Sequence, residues 1–133
     1  MNEAVRRVQT DDPWAETIGS ARAVAAGDRV LVAGTMPFTG TVLQGEGDPY
    51  EQALAAFGNA LEALKAFDLG ADSVIRTRMY LTHLRDVEAV GRAHKELFGD
   101  VRPAATMLVV SRFADSRVLV EVELEAFRGA QTP

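Results

Sequence analysis

The sequence predicts an α+β domain of order β-β-α-β-α-β-β, with two amphipathic helices on one face of a mixed sheet. Three observations predict it. A capped helical pattern begins at Asp48, and apolar residues recur along it at steps of three and four. Apolar and polar residues alternate from Val74 to Thr82 and again from Val118 to Phe127. Turn signals at Gly27, Gly70, Gly99 and Pro103 separate the segments.

A chain of 133 residues makes one domain, 1–133, with residues 1–13 as a polar lead-in ending at Asp12-Pro13. Trp14 is the sole tryptophan and is expected to pack this segment onto the domain. The stretch from Ile18 to Ala26 is rich in alanine and fits a strand or a helix. Arg29 to Thr35 shows little alternation, so it reads as a strand buried on both faces, forming a hairpin across Gly27-Asp28. Pro37 to Gly47 reads as a loop, most mobile at Gly45-Glu46-Gly47.

The first long helix has Asp48 as N-cap, Pro49 at its first position and Glu51 three residues after the cap, a start resembling a capping box. Leu54, Phe57, Leu61, Leu64 and Phe67 form its expected buried stripe. Each should contribute about 2 kcal/mol before entropy is subtracted. Gly70 is placed to end it as a left-handed cap. In the strand that follows, Ile75, Thr77, Met79 and Leu81 face one way, and Arg76, Arg78, Tyr80 and Thr82 the other. Asp86 is expected to cap a second helix with Val87, Val90, His94 or Leu97, and Phe98 on its buried side; Gly99 ends it. Strands over 106–112 and 118–127 complete the fold.

The last strand turns Val118, Val120, Val122, Leu124 and Ala126 toward the helices, and Leu119, Glu121, Glu123, Glu125 and Phe127 away from them. This second face mixes aliphatic and aromatic side chains with charges of both signs. A solvated sheet face is normally polar, so the mixture predicts a subunit interface with Arg–Glu pairing.

Composition narrows function by exclusion. The formal charge is −5 and no cluster of Lys and Arg stands out, which argues against a nucleic-acid partner. There is no cysteine, hence no disulfide, thiolate metal site or Cys nucleophile. No segment is long and apolar enough for a membrane span, and the N-terminus has no apolar core, so a cytoplasmic location is expected. His83 and His94 are not at metal-ligand spacing, and no metal site is expected. No nucleophile elbow or phosphate-binding glycine motif occurs. The acid–base candidates are therefore the glutamates of the last strand, Glu121, Glu123 and Glu125. Any of them can activate a water in a buried interface or simply pair with Arg76 and Arg78.

Several segments, in this order and spacing, carry a family likeness: 27–34 with Pro37, 74–81, Val90-Gly91-Arg92-Ala93-His94 through Phe98, Arg102-Pro103-Ala104, and Val120-Glu121-Val122-Glu123. With them the chain, from about Trp14 to Phe127, resembles the YjgF or Rid (reactive intermediate deaminase) family. The resemblance implies a chorismate-mutase-like subunit and a homotrimer with small-molecule clefts between subunits. Family deaminases hydrolyse enamines and imines to keto acids without a cofactor. One of their arginines holds the substrate carboxylate, and a last-strand glutamate positions water.

Carried onto this sequence, only Glu121 matches, as the catalytic candidate. The family arginine falls at Ala105, a first-strand tyrosine at Ser20, a serine at Ala33 and an asparagine at Gly91. Thr106 and His94 are further candidates to line the cleft, with Arg78 and Arg102 as possible sources of positive charge. Without the arginine a carboxylate loses its bidentate partner. The expectation is a divergent member that binds a small metabolite and lacks standard 2-imino-acid deaminase activity. The other reading is an imine hydrolase using Glu121 on a substrate of a different kind.

Overall fold

A computed structural model describes residues 5–10 and 12–129. Six strands form one mixed sheet in the order β1-β2-β3-β8-β6-β7. They are β1 (Val5–Val8), β2 (Ala23–Ala26), β3 (Arg29–Thr35), β6 (Val74–Leu81), β7 (Ala104–Val109) and β8 (Val120–Phe127). β4 (Phe38–Thr39) and β5 (Val42–Leu43) form a small separate ribbon. Among the described strands only β6 and β7 pair in parallel. Helices α2 (Pro49–Leu64) and α3 (Val87–Phe98) cover one face; a short α1 (Pro13–Ile18) precedes β2. Among the described residues no helix is long and apolar enough to cross a membrane.

The core lies between the helices and β3, β6 and β8. Val120, Val122, Leu124 and Ala126 are buried there with Val30, Val32, Phe57, Leu64, Met79, Val90 and Phe98. Asp48 caps α2 as expected, its carboxylate accepting from the backbone N–H of Tyr50 and Glu51 at 3.1 Å each.

Several expectations are corrected. Val5–Val8 lies within the supposed lead-in yet pairs with β2 as an edge strand. Trp14 is 63% exposed rather than packed on the domain; it stands at the start of α1, where Asp12 caps the helix by accepting from its backbone N–H. The buried side of α2 is centred on Gln52, Ala53, Ala56, Phe57, Ala60 and Leu64; Leu54 and Leu61 sit at its margin. Small alanines let this helix lie close to the sheet, so the bulkiest residues do not mark its centre. Asp68, not Gly70, takes the left-handed turn after α2, with φ 58°. Asp86 precedes α3 without a capping side-chain bond, and Val87 is exposed.

β3 is the most informative departure. Its residues are not buried on both sides: Val30, Val32 and Thr35 face the core, while Leu31, Ala33 and Gly34 are exposed. Val32 pairs with Leu124, yet Thr35 pairs with Val122. One extra residue therefore sits on β3 between these pairs, a β-bulge that turns Ala33 and Gly34 to the uncovered face.

Candidate functional site

The uncovered sheet face is built in rows by strand register. Leu108, Tyr80 and Glu121 form one row, Thr106, Arg78 and Glu123 the next, and Ala104, Arg76 and Glu125 a third. Its charges pair selectively. Arg29 Nη1 reaches Glu125 Oε2 at 3.1 Å, and Arg78 Nη1 lies 3.7 Å from Glu123 Oε1. The Tyr80 hydroxyl also donates to Glu123 Oε1, at 3.0 Å. Burial and this carboxylate hold the Tyr80 pKa above its ordinary value.

Glu121 is left out of that pairing. No donor or ion-pair partner reaches its carboxylate among the described residues, although it is half-buried. Burial first, and the neighbouring Glu123 second, raise its pKa; Arg22 opposes them. Its carboxyl lies over Gly34 in the bulge, so close that a Cβ there would stand 3.1 Å from Cδ. The glycine is needed for this close approach, not for its backbone angle.

Arg22, just before β2, completes the cluster. Its guanidinium donates to the Thr35 hydroxyl and, at 3.5 Å, to the Gly34 carbonyl. The Thr35 hydroxyl in turn donates to the Ala33 carbonyl at 2.7 Å. These bonds tie Arg22 to the bulge from the β2 side while Glu121 reaches it from β8. Burial lowers the Arg22 pKa, against the attraction of Asp12 and Glu121. Sequence reading missed Arg22. The available signal was one arginine within Ala21-Arg22-Ala23-Val24-Ala25-Ala26, where everything else is small and apolar.

The other sequence candidates divide between places. Ala33 lies on the bulge beside this cluster. Thr106 and Arg78 share a row on the same face. Ala105 pairs in register with the buried Thr77, so it belongs to the helix side, exposed because β7 is an edge strand. His94 is there too, its Nε2 2.7 Å from Thr77 Oγ1 and its ring against Phe57 and Phe98. Burial lowers its pKa, which favours the neutral imidazole. Gly91 on α3 faces open space. Arg102 is exposed at the turn after α3, with φ 57° and its N–H bonded to the Phe98 carbonyl. Ser20 lines a shallow groove of about 480 Å³ with Arg7, Gln9 and Glu16. Within one chain, then, Glu121 and Ala33 come together, whereas Ala105, His94, Arg102 and Gly91 lie elsewhere. No group of three His, Asp or Glu side chains suited to a metal ion occurs among the described residues.

Comparison with known proteins gives consistent matches. The family model described as endoribonuclease L-PSP matches residues 11–128. Protein SCO2049 of Streptomyces coelicolor is 67% identical over 129 residues, covering 97% of this chain and 96% of that protein. The RutC family protein UK114 of Drosophila melanogaster is 34% identical, over 98% and 95% of the two chains. The crystal structure of Mycobacterium tuberculosis Rv2704, a member of the YjgF/YER057c/UK114 family, superposes with a TM-score of 0.81 at 31% identity, covering 92% and 98%. The fold is also that of Escherichia coli TdcF with bound serine, at a TM-score of 0.77, 21% identity and 93% and 94% coverage.

Proposed function

The chain belongs to the YjgF/UK114 family, that of the endoribonuclease L-PSP model. From that premise we propose that it is a homotrimer binding a small metabolite in clefts between subunits, without the standard 2-imino-acid deaminase activity. The observation that carries the reading is Glu121. It is a half-buried carboxylate with no partner among the described residues, on a sheet face where Arg78, Glu123, Arg29 and Glu125 are already paired. Leu31, Leu108 and Phe127 are each between 43% and 49% exposed on that same face, apolar surface that a trimer interface would cover. The serine bound to TdcF supports a small polar ligand.

Loss of the standard activity rests on Ala105, where the family pattern has the arginine that grips a substrate carboxylate. The test is hydrolysis of 2-aminoacrylate generated in situ. Keto-acid release should stay at the uncatalysed rate. Acceleration that disappears in Glu121→Ala would overturn this part of the reading.

A second reading is favoured by the raised Glu121 pKa. A carboxyl that holds its proton closer to neutrality can both activate water and protonate a leaving amine. The protein would then hydrolyse an imine or enamine of another kind, with Glu121 as the acid–base group. Turnover within a panel of imines lacking an α-carboxylate, lost in Glu121→Gln, would support it. Ribonuclease action has little physical support: the net charge is −5, and the uncovered face presents three glutamates.

A further inference from the structure

Arg22 and Glu121 are opposite charges facing the same bulge, yet they do not close on each other. Their attraction is felt, but no ion pair forms within 4.0 Å. A guanidinium has five N–H donors. Arg22 uses only two contacts, to Thr35 Oγ1 and the Gly34 carbonyl. Glu121 accepts from no described residue, and among the described residues no fully buried side-chain nitrogen or oxygen lacks a partner. The Nε–H of Arg22, which has no partner among the described residues, and the oxygens of Glu121 are therefore not fully buried, while both groups are partly desolvated. A partly buried charge without a partner is costly, and a ligand carrying the opposite charge recovers that cost.

We propose that Arg22 is the cation that anchors the ligand in the Glu121 cleft, and that the ligand carries an anionic group beside a hydrogen-bond donor. The anion meets the free N–H groups of Arg22, and the donor meets Glu121 across Gly34. Charge enters this cleft from the β2 side, not from β7, where Ala105 stands, nor from Arg78, whose guanidinium is engaged with Glu123. Arg22 is suited to the task because its fork is already fixed. Thr35 is buried, accepts from the guanidinium and is itself held by the Ala33 carbonyl. An arginine held this way loses less freedom on binding than a surface side chain would.

This inference rests on the small-molecule reading above, and three probes separate the two. Lactate is a hydroxy acid anion, lactamide is its neutral isostere, and serine adds an ammonium group. Each is titrated into the intact protein while the amide resonances of Gly34 and Thr35 are followed by NMR. Wild type should bind lactate and serine saturably and lactamide at least about tenfold more weakly, as expected when a charge-assisted hydrogen bond is lost. Arg22→Gln should remove that preference. Arg22→Lys should keep part of it, because a point charge remains without the planar fork. Arg85→Gln, on the exposed turn before α3, should match wild type.

If Arg22 merely staples the bulge, Arg22→Gln would lower thermal stability and leave the anion preference within twofold, which overturns the inference. Preference lost in Arg78→Gln or Arg102→Gln but kept in Arg22→Gln overturns it as well. Equal binding of lactate and lactamide by wild type overturns it while the small-molecule reading stands. Absence of saturable shifts with all three probes overturns both.

Discussion

Gly34→Ala tests whether the bulge exists to seat Glu121. The new Cβ would lie 3.1 Å from Glu121 Cδ and 3.2 and 3.3 Å from its oxygens. Heavy atoms at such a contact prefer about 3.5–4.0 Å, so the carboxyl must retreat by roughly 0.5 Å. Gly34 does not have the positive φ that alanine resists, so the backbone need not move. Alanine there also restricts the unfolded chain, a gain of about 0.4–1 kcal/mol that offsets the crowding. Global stability should therefore stay within about 1 kcal/mol of wild type. Function should not be spared. A retreat of this size weakens the charge-assisted hydrogen bond that Glu121 would make to the ligand, and losing most of one such bond is about a tenfold loss of affinity. Serine affinity, followed at the Thr35 amide, should fall by this factor while the melting temperature barely changes. Unaltered affinity, with the Glu121 carboxyl titrating as in wild type, would refute the claim that Gly34 is there for Glu121.

Other perturbations probe separate parts of the account. Glu121→Gln should raise the melting temperature slightly at pH 8 and abolish serine binding. Burial raises the folded-state pKa of Glu121, so the folded chain holds this proton more tightly than the unfolded one, and stability falls as pH rises through that pKa. A lower melting temperature at pH 8 would contradict this sign. Gln52 is fully buried in α2 and bridges the start of β8, its amide donating to the Arg117 carbonyl at 2.9 Å and accepting from the Leu119 N–H at 2.8 Å. Gln52→Leu keeps the volume but strands two backbone groups. The expected loss is about 2–4 kcal/mol in denaturant unfolding at fixed protein concentration, and a loss below about 0.5 kcal/mol would refute the bridge. The Asp115 carboxyl, bonded to the Arg117 side chain and backbone N–H, is held down to about 2 from 3.8. That interaction is fully present above pH 3.8 and fades as pH falls through about 2. Arg117→Ala should return the Asp115 titration, read by NMR, toward its ordinary range.

Much of this architecture is legible from residue order. β8 shows its two faces because alternation survives along its whole length. The α2 start is announced by Asp48-Pro49, since capping is local chemistry. What escapes detection depends on partners distant in sequence. The bulge at Ala33-Gly34 exists only relative to the register of β8, so β3 looks merely non-alternating when read alone. Val5–Val8 reads as polar because two arginines occupy it, and its strand character comes from pairing with β2. Asp68 takes the left-handed turn although a glycine stands two residues on, because the chain already turns after Phe67 through a bond to the Lys65 carbonyl.

The candidate site divides in the same way. Glu121 is legible because it stands on a regular strand and matches a family position. Arg22 is not, since its segment fits strand or helix equally and its partners, Gly34 and Thr35, approach only once the hairpin closes. The expectation that the glutamates pair with Arg76 and Arg78 holds only for Arg78 with Glu123. Glu125 takes Arg29 from the neighbouring strand instead.

The proposed trimer closes the uncovered sheet face against other copies of the chain, with Glu121 in the resulting cleft. Sedimentation equilibrium at micromolar concentration tests it most directly. A single species with the mass of three 14.3 kDa chains is expected, shifted toward monomer by Leu108→Arg. A stable monomer of the wild-type chain across that range would contradict it.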